Sequence, residues 1–455
     1  FASWGVHGQQ LLYIFENNIY YQTDVHSSSW RLTSSGQEGV VFNGITDWLY
    51  EEEVLHTQVA HWWSPDGSRL AYLTINSSEV PNMFLPRFTG SLYPRGKEYP
   101  YPKMGQANPT ITLSVVTLDG SFRTTELGPP DSFERNEFYI TMVKWVTDEK
   151  LAARWVNRAQ NMSILSLCDA TTGDCIKVRN IYFHSDLYIF FFITMPLKHG
   201  DRGTFSHITM ISNKGEEVNL RHLTSGSWEV TQILAYDEST HSLYFLSTES
   251  GSTQRQLYRV STVDPFHKEC LTCSLLRSKC TFYDALLSPN YDHVLLNCRG
   301  TDSAPGGQAV SDRFTLSWDS VLVSSDNVIV ARLDGRGSGF QGQRILHEVH
   351  QRLGTVDVQD QIKVLELPYI DGNRVGVYGK AYGGFLCSVL LLSYSSMFKC
   401  GVAVAPITNW RLYGKMVTLW TLMVPDQGYN NFGFFIIVQF YLVLTFYFSN
   451  SVSFN

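Results

Sequence analysis

The sequence is poor in charge and has no basic excess. Charged residues make up 17% of the 455 positions, and 35 Lys and Arg stand against 42 Asp and Glu. The net charge of −7 offers no basic surface for nucleic acid, so a nucleic-acid partner is excluded. The apolar fraction of 44% excludes a disordered chain and is enough for a large hydrophobic core.

The composition also argues against helical bundles and coiled coils. Aromatic residues reach 14%, and short apolar runs such as 11–15 and 242–246 alternate with turns throughout residues 1–300. One unit recurs: the turn Ser64-Pro65-Asp66-Gly67 lies between two apolar runs, and a weaker copy surrounds Ser288-Pro289-Asn290. Repeated antiparallel units of this kind predict a β-propeller, with a pair of β-sandwiches as the alternative.

After residue 305 the pattern changes to alternating strands and helices. The apolar runs that read as buried strands are 327–333, 374–378 and 400–406. The segments that read as helices are 344–352 and 385–392. Such alternation is typical of a parallel α/β sheet, so residues 301–415 are expected to form an incomplete α/β domain.

Residues 416–455 fit neither pattern and are set apart as a divergent apolar tail. No charged residue occurs after Asp426, and residues 432–448 form an uncharged, mostly apolar run. A run of this length lies at the lower limit for a membrane span. The other interpretations are a buried segment and a sequence outside the natural fold, and the last is favoured.

A serine is missing where a nucleophile would stand. Gly379-Lys380-Ala381-Tyr382-Gly383 lies between a predicted strand and a predicted helix, the context of a G-x-S-x-G nucleophile elbow. The methyl group of Ala381 can neither attack a carbonyl nor pass a proton to a base. No histidine follows His350, although enzymes with a G-x-S-x-G elbow have the triad histidine after the nucleophile. The sequence therefore predicts no hydrolysis by this route. A glycine-rich strand–helix turn without function is the alternative.

A nucleotide-binding motif is present only in form. Residues 337–342 match G-x-G-x-x-G, and Asp357 and Asp360 follow roughly where a ribose-binding acid would stand. The predicted strand before the motif does not begin a clear βαβ unit of the kind that binds nucleotides. No dinucleotide and no other cofactor is predicted.

The eight cysteines occur in clusters that favour disulfides over zinc. Cys270 and Cys273 have the spacing of half a zinc site, but Cys280 and Cys298 do not supply a second C-x₂-C. No metal site is predicted. The predicted disulfides are Cys168–Cys175, Cys280–Cys298 and a tight Cys270–Cys273 pair.

Two N-glycosylation sequons begin at Asn76 and Asn161. Together with paired cysteines they favour an oxidising compartment of the secretory pathway. The sequence begins at Phe1 with neither Met nor a signal peptide, so a fragment without its targeting segment is expected.

Three adjacent carboxylates, Glu51-Glu52-Glu53, stand among the apolar residues of segment 47–55. The favoured interpretation is a solvated helical face. The alternative is a site that holds the ammonium group of a substrate, since clustered carboxylates attract a cation.

With these motifs assembled, the sequence resembles the dipeptidyl peptidase IV family over nearly all of residues 1–415. The segments that carry the resemblance are 47–53, 99–103, 334–342 and 400–408. The resemblance implies an eight-bladed β-propeller, incomplete here, followed by a truncated α/β-hydrolase domain of the prolyl oligopeptidase type. It also implies that Glu52 and Glu53 are the paired glutamates that grip a peptide N-terminus.

Within this family the sequence is most similar to inactive members, which carry Gly-Lys-x-Tyr-Gly-Gly at the elbow, as residues 379–384 do here. The resemblance implies a single-pass type II glycoprotein on the extracellular side of the plasma membrane. Its implied role is as an auxiliary subunit of A-type voltage-gated potassium channels, and a homodimer or a heterodimer with relatives is a further implied assembly. The alternative function is a serine-type dipeptidyl peptidase that cleaves N-terminal X-Pro dipeptides.

The sequence departs from the family pattern in several places. The cytosolic tail and membrane anchor of the family would precede Phe1. Between Cys298 and Pro305 the family has many more residues, including the last propeller strands. After about residue 415 the family pattern stops, so the acid and the histidine of the triad are expected to be missing.

Overall fold

The computed structural model describes most of the chain up to residue 412. The described residues are 1–129, 138–177, 190–214, 217–275, 280–288, 290–297, 307–312, 316, 318–325, 328–350 and 352–412. They fall into two compact units, one drawn mainly from residues 1–189 and the other mainly from residues 190–408. The predicted tail at 416–455 lies outside the described residues. Within the described part of the chain, no helix has the length and apolarity needed to cross a membrane.

The first unit consists of antiparallel sheets whose strands follow one another along the chain. The first sheet has the strands β1 (Ala2–Trp4), β2 (Leu11–Phe15), β3 (Asn18–Gln22) and β4 (Trp30–Arg31). The next strands are β5 (Val41–Asn43), β6 (His61–Trp63), β7 (Arg69–Asn76), β8 (Asn82–Arg87), β9 (Arg95–Pro100), β10 (Thr110–Thr117) and β11 (Thr124–Leu127). The second sheet has the order β11–β10–β7–β5, and β6 also pairs with β7. The third sheet has β12 (Phe138–Trp145), β13 (Lys150–Asn157), β14 (Ser163–Asp169) and β15 (Cys175–Lys177).

The turn predicted from Ser64-Pro65-Asp66-Gly67 connects β6 to β7, which are antiparallel. The Asp66 carboxylate accepts hydrogen bonds from Ser64 Oγ at 2.6 Å and from Ser68 N at 3.0 Å. Gly67 has a φ of +64°, a conformation that glycine adopts without strain. The hairpin predicted from this segment is confirmed.

Sheets of the first unit bury their apolar faces against one another. Leu73 of the second sheet shares a core cluster with Tyr139 and Trp155 of the third sheet. Leu12 of the first sheet and Leu70 of the second belong to another cluster. Each fully buried apolar side chain of this size contributes roughly 1.5–3 kcal/mol relative to exposure. The stacking of sheets therefore supplies the core that no single sheet could form.

The second unit continues the same architecture. Its strands are β16 (Phe190–Lys198), β17 (Thr204–Lys214), β18 (Glu217–His222), β19 (Val230–Asp237), β20 (Ser242–Ser247), β21 (Gln256–Ser261), β22 (Lys268–Cys270), β23 (Asp284–Leu287) and β24 (Val294–Asn297). They form sheets in the orders β16–β17–β18, β19–β20–β21–β22 and β23–β24. The second copy of the Ser-Pro unit is the antiparallel pair β23–β24, as the sequence predicted. Ile208 and Phe245 belong to the core cluster shared by the first two of these sheets.

The α/β part of the second unit follows these sheets. Its elements are α1 (Trp318–Ser325), α2 (Gln343–His347), α3 (Val356–Lys363), β25 (Gly376–Lys380), α4 (Tyr382–Ser393) and β26 (Cys400–Val404). Short 3₁₀ turns occur at Gly200–Arg202, Val364–Glu366 and Trp410–Leu412. Strands β25 and β26 are parallel, which confirms the predicted type of sheet.

Two assignments made from the sequence in this part are wrong. The helix predicted at 344–352 is shorter than expected, since α2 ends at His347. The chain then makes a tight turn, in which the backbone N–H of His350 donates to His347 O. The apolar run predicted as a strand at 327–333 forms none among its described residues, 328–333. A strand needs a hydrogen-bonded neighbour, and the described strands of this part, β25 and β26, pair with each other.

A buried arginine joins strand β21 to the α/β part of the same unit. The guanidinium of Arg255 donates to Gln308 Oε1 at 2.9 Å and lies 4.1 Å from the centre of the Phe340 ring. On the propeller side it lies 5.2 Å from the centre of the Phe282 ring. Burial lowers the pKa of Arg255 to about 10, an effect that the carboxylate of Glu229 opposes. A cation between two aromatic rings is a stabilising contact, so this residue holds the two parts together.

Among the described strands, β8 and β9 pair with each other and form a separate hairpin. Its tip exposes Phe88, Leu92 and Tyr93, and Leu92 is fully exposed. Arg87 and Arg95 are directly opposite each other at the ends of the two strands. The hairpin is therefore an apolar and basic projection rather than a part of the core.

Two of the predicted disulfides are present. Cys168 is bonded to Cys175 across β14 and β15, and Cys270 is bonded to Cys273. Cys280 is also disulfide-bonded, but Cys298 lies outside the described residues, so that pairing stays a prediction. The Cys270–Cys273 bond joins the two sulfur atoms that half a zinc site would require as separate thiolates.

The two sequons lie in different settings. Asn76 is the last residue of β7, and its side-chain oxygen accepts a hydrogen bond from Ser78 N at 3.0 Å. Asn161 is exposed in the turn between β13 and β14. Glycosylation of either residue stays a prediction.

Candidate functional site

The predicted elbow is a strand–turn–helix segment built from β25, Ala381 and α4. The backbone N–H of Ala381 donates to Val404 O of β26 at 2.9 Å. The N–H of Phe385 donates to Ala381 O at 3.1 Å and begins the hydrogen bonding of α4. Cys387 and Leu390 are buried along the same helix, and Cys387 Sγ lies 3.5 Å from Val402 O. The helix therefore packs on the parallel pair, and the five predicted elbow residues, 379–383, lie together.

Close backbone contact explains the glycine at the end of β25. A Cβ at Gly379 would lie 1.9 Å from Gly383 O, a distance that no side chain tolerates. A Cβ at Gly384 would lie 3.0 Å from Val404 O. The helix can approach the strands this closely only because these positions have no side chain.

Ala381 adopts the strained conformation at the centre of the turn. Its φ is +54° and its ψ is −113°, in the left-handed half of the map that L-residues rarely enter. The residue is exposed, so its Cβ stands where an attacking group would stand. The turn thus has the backbone of a nucleophile elbow and a methyl group in place of the nucleophile. Lys380, which precedes it, is exposed.

A contact that the sequence analysis missed fixes the start of α4. The hydroxyl of Tyr382 donates a hydrogen bond to the carboxylate of Asp357, which is buried in the first turn of α3. The same carboxylate accepts a hydrogen bond from Gly354 N at 3.2 Å. Burial and the neighbouring Asp357 raise the pKa of Tyr382 far above its ordinary value, so the phenol stays protonated and remains a donor. Because the two residues are 25 positions apart, no local pattern could have indicated the pair.

The formal nucleotide-binding motif serves packing. A Cβ at Gly337 would lie 2.6 Å from a side-chain carbon of Val349, so this glycine permits a close contact. Asp360 forms a bidentate ion pair with Arg336, at 2.9 and 2.8 Å, and this pair lowers the pKa of Asp360. Asp357 accepts a hydrogen bond from the hydroxyl of Tyr382. Both acids that follow the motif therefore already have protein partners.

The acidic segment forms one turn of π-helix, Tyr50–Val54. Tyr50 and Val54 are buried and anchor the turn in the core, while Glu52 is exposed and Glu53 is half-buried. The segment is therefore helical, as the sequence predicted, but it is wound more widely than an α-helix. Such π-turns occur frequently at functional sites.

Asp47 holds the start of this turn, a role that the sequence analysis also missed. Its Oδ1 accepts a hydrogen bond from Tyr50 N at 3.0 Å, and its carbonyl oxygen accepts one from Glu51 N at 2.9 Å. Burial raises the pKa of Asp47 to about 6, although the hydrogen bond from Tyr50 opposes the rise. An aspartate just before a helical segment can accept a hydrogen bond from a backbone N–H of the first turn, so the sequence did contain a signal for this contact.

The three glutamates differ in their surroundings. Glu51 Oε1 accepts a hydrogen bond from Gln58 Nε2 at 3.2 Å. Among the described residues, neither Glu52 nor Glu53 has a hydrogen-bond partner. Burial raises the pKa of Glu53, and the nearby His56 opposes this rise. Two adjacent acceptors without protein donors can receive the N–H groups of a cationic ligand.

Comparison with protein families gives two matches. The model described as the dipeptidyl peptidase IV (DPP IV) N-terminal region matches residues 1–305, and that of the prolyl oligopeptidase family matches residues 314–435. A crystal structure of Porphyromonas gingivalis dipeptidyl peptidase 4 is similar with a TM-score of 0.74 and 23% identity, over 93% of this chain and 70% of that one. These matches confirm the predicted fold, a propeller-like region of many sheets followed by a partial α/β-hydrolase region.

Curated relatives are similar over most of the chain. The proteins named inactive dipeptidyl peptidase 10 from Mus musculus and Rattus norvegicus are each 46% identical over 94% of this chain. Dipeptidyl peptidase 4 from Sus scrofa is 31% identical over 94% of this chain and 68% of its own length. The chain spans 65% of the length of the first two relatives.

Substitution at Gly379 tests the geometry of the elbow. Gly379→Ala is expected to destabilise the α/β part by more than about 1 kcal/mol, because its Cβ would overlap Gly383 O. Gly383→Ala is the matched control: a Cβ there has no neighbour within 4 Å, and alanine favours a helix by up to about 1 kcal/mol. Thermal unfolding followed by circular dichroism compares the two variants. Equal melting temperatures would contradict the packing described for this turn.

Proposed function

The chain belongs to the dipeptidyl peptidase IV family, and from this we propose that it is a catalytically inactive member that acts through binding. We further propose that the complete protein is a plasma-membrane glycoprotein and an auxiliary subunit of A-type voltage-gated potassium channels. The single observation that supports inactivity best is Ala381 at the centre of an otherwise well-formed elbow. The name of the relatives that are 46% identical, inactive dipeptidyl peptidase 10, points the same way.

The chemistry of acyl transfer supports this proposal. A serine peptidase needs a hydroxyl that loses its proton to a histidine as it attacks the carbonyl. Ala381 has no hydroxyl, and this sequence has no histidine after His350. The elbow therefore has no nucleophile, and loss of the nucleophile costs several orders of magnitude in rate.

Restoring the serine tests the inactivity proposal. Ala381→Ser is expected to release no chromophore from a Gly-Pro-p-nitroanilide substrate, because a hydroxyl without a base is a poor nucleophile. Ala381→Gly is the matched control, since it accepts the positive φ and adds no hydroxyl. Turnover by the natural chain or by the serine variant, above that of the glycine variant, would favour the alternative of an active serine-type dipeptidyl peptidase that cleaves X-Pro dipeptides.

We propose that Glu52 and Glu53 bind a free peptide N-terminus without serving catalysis. Glu52 and Glu53 are consecutive residues of the π-turn, and neither carboxylate accepts a hydrogen bond among the described residues. An α-ammonium group has three N–H donors, so it can bond to both carboxylates at once. The solvated-face interpretation predicts no such binding.

Calorimetry with a short peptide tests this binding. Glu52→Gln together with Glu53→Gln is expected to abolish the heat of binding, because neutral amides do not attract the ammonium group. Glu51→Gln is the matched control, since Glu51 is already bonded to Gln58. An N-acetylated peptide should not bind to the natural chain. Unchanged heats in the double variant would favour the solvated-face interpretation.

Binding of a peptide N-terminus by Glu53 is expected to weaken as the pH falls. The ionised form of Glu53 is required, and burial raises its pKa above the ordinary value for glutamate. Affinity should therefore decline, as pH falls, at a higher pH than an unperturbed glutamate would give.

Several observations support a secreted or cell-surface location. Two disulfides are formed, and disulfides persist in oxidising compartments. Asn161, the first residue of a sequon, is exposed and accessible for glycosylation. Self-association with a second copy or with a relative stays a prediction, and the exposed hairpin β8–β9 offers an apolar surface for it.

Co-expression with an A-type channel tests the channel proposal. The resemblance assigns channel contact largely to an N-terminal membrane anchor, which in the family precedes the position of Phe1. We therefore expect the chain as given to leave inactivation and recovery unchanged, and the same chain joined to such an anchor to alter both. A matched control carries the anchor without this chain. Equal modulation by the unanchored chain would place the interaction on the extracellular domains instead.

A further inference from the structure

We propose that the Cys270–Cys273 disulfide is a thiol-exchange site, which small dithiols open while the surrounding fold stays intact. The bond lies at the end of β22, and β22 is the outermost strand of its four-stranded sheet. Both cysteines are half-buried rather than enclosed in the core. A reagent can therefore reach the bond from the edge of the sheet.

Both sulfur atoms have donors within reach. The backbone N–H of Cys273 donates to Cys270 Sγ at 3.1 Å. The hydroxyl oxygens of Ser250 and Tyr258 lie 3.5 and 3.6 Å from Cys273 Sγ, and 3.0 Å from each other. A disulfide sulfur accepts such bonds weakly and a thiolate accepts them strongly, so these donors favour the reduced form. Burial raises the pKa of Tyr258, and its hydroxyl therefore stays protonated as a donor.

The charged groups nearby are engaged with other partners, so neutral donors stabilise the thiolates. Lys268, two residues before Cys270, donates to both carboxylate oxygens of Glu249 at 2.5 and 2.6 Å. Its ammonium also lies 4.6 Å from the centre of the Trp228 ring. The lysine is thus engaged by a carboxylate and an aromatic face, and the thiolates are stabilised by the hydroxyl and backbone donors.

The fold does not depend on the bond. Between the two cysteines lies Thr272, whose buried hydroxyl accepts a hydrogen bond from Leu257 N at 2.9 Å and donates to Gln256 Oε1 at 2.6 Å. The backbone N–H of Leu271 donates to Leu257 O at 2.8 Å. These bonds tie the loop to β21 whether or not the sulfurs are joined. Because the closed loop is short, the bond also contributes little entropy of loop closure.

The Cys168–Cys175 disulfide provides an internal comparison. Cys168 is fully buried in the core of the first unit. Ser166 Oγ lies 3.6 Å from Cys168 Sγ, but the same hydroxyl lies 3.3 Å from Ala153 O, an acceptor that competes for its proton. Opening this bond would leave a thiolate in apolar surroundings, which burial disfavours. We therefore expect it to resist reagents that open Cys270–Cys273.

The exchange balances as two thiolate displacements. One thiolate of the external dithiol attacks Cys270 Sγ, forms a mixed disulfide and expels the thiolate of Cys273, which Ser250 and Tyr258 stabilise. The second thiolate of the reagent then attacks its own bonded sulfur and releases Cys270. The protein disulfide gains two electrons, the dithiol is oxidised to its cyclic disulfide, and both protein thiolates take up the protons that the dithiol lost.

Native-state labelling tests the proposal on the full chain. The protein is incubated with increasing dithiothreitol at neutral pH, alkylated, digested and analysed by mass spectrometry, while far-ultraviolet circular dichroism follows the fold. We expect Cys270 and Cys273 to be labelled at concentrations where Cys168 and Cys175 stay bonded and the spectrum is unchanged. Opening of both disulfides together, or only as the spectrum is lost, would overturn the proposal.

Variants separate thiolate stabilisation from mere exposure. Ser250→Ala with Tyr258→Phe is expected to slow the opening about tenfold, because hydrogen bonds to the leaving thiolate are lost. The single variant Ser250→Ala is the alternative test if the double variant does not fold. Because Ser250 is exposed, this variant should fold normally and show part of the slowing. Tyr244→Phe on β20 is the matched control and should leave the rate unchanged. Identical rates in Ser250→Ala, the double variant and the natural chain would contradict the role of these donors.

Discussion

The described part of this molecule depends on one constraint: a small β-sheet has a hydrophobic face that only another element can cover. In the first unit, Leu73 on one sheet packs with Tyr139 and Trp155 on the next, and Leu70 packs toward the sheet before it. In the second unit, Ile208 and Phe245 meet in the same way. A sheet that left its apolar face in water would lose this burial, so the sheets stabilise one another by packing.

The elbow shows that shape and chemistry are specified by different residues. Gly379 and Gly384 allow the helix to approach the strands, and Tyr382 ties the helix to α3 through Asp357. None of these contacts involves the side chain at position 381. A strained backbone can therefore persist around Ala381 because its neighbours determine it. The same separation holds for the acidic turn, where Asp47 and Tyr50 set the geometry and Glu52 is the exposed carboxylate.

The sequence predicted those features that depend on local patterns. Strands such as β2 and β20 were foreseen because their apolar runs are short and lie between turns, and the Ser64–Gly67 turn because its residues favour one conformation. The Cys168–Cys175 and Cys270–Cys273 disulfides followed from cysteine spacing. The parallel pair β25–β26 followed from the alternation of strand and helix.

Features that depend on distant partners could not be predicted in this way. The 328–333 run has the composition of a strand, but strand formation is decided by its neighbours rather than by its own residues. The ring stacking around Arg255 joins residues far apart in the chain, and so does the bond between Tyr382 and Asp357. The acidic segment was correctly expected to be helical, but its π-winding depends on where Tyr50 and Val54 enter the core.

The order of strands within the sheets has a consequence for how the protein is made. Every sheet from β1 to β24 is built from strands that are close neighbours in sequence, apart from the β8–β9 insertion. Their contacts are therefore available soon after each segment is synthesised, and loop closure costs little. The pair β25–β26 differs, since parallel strands can meet only after the whole of α4 lies between them. During translation the sheets can thus assemble one after another from the N-terminus, and the hydrolase-like part must wait for chain that has not yet left the ribosome.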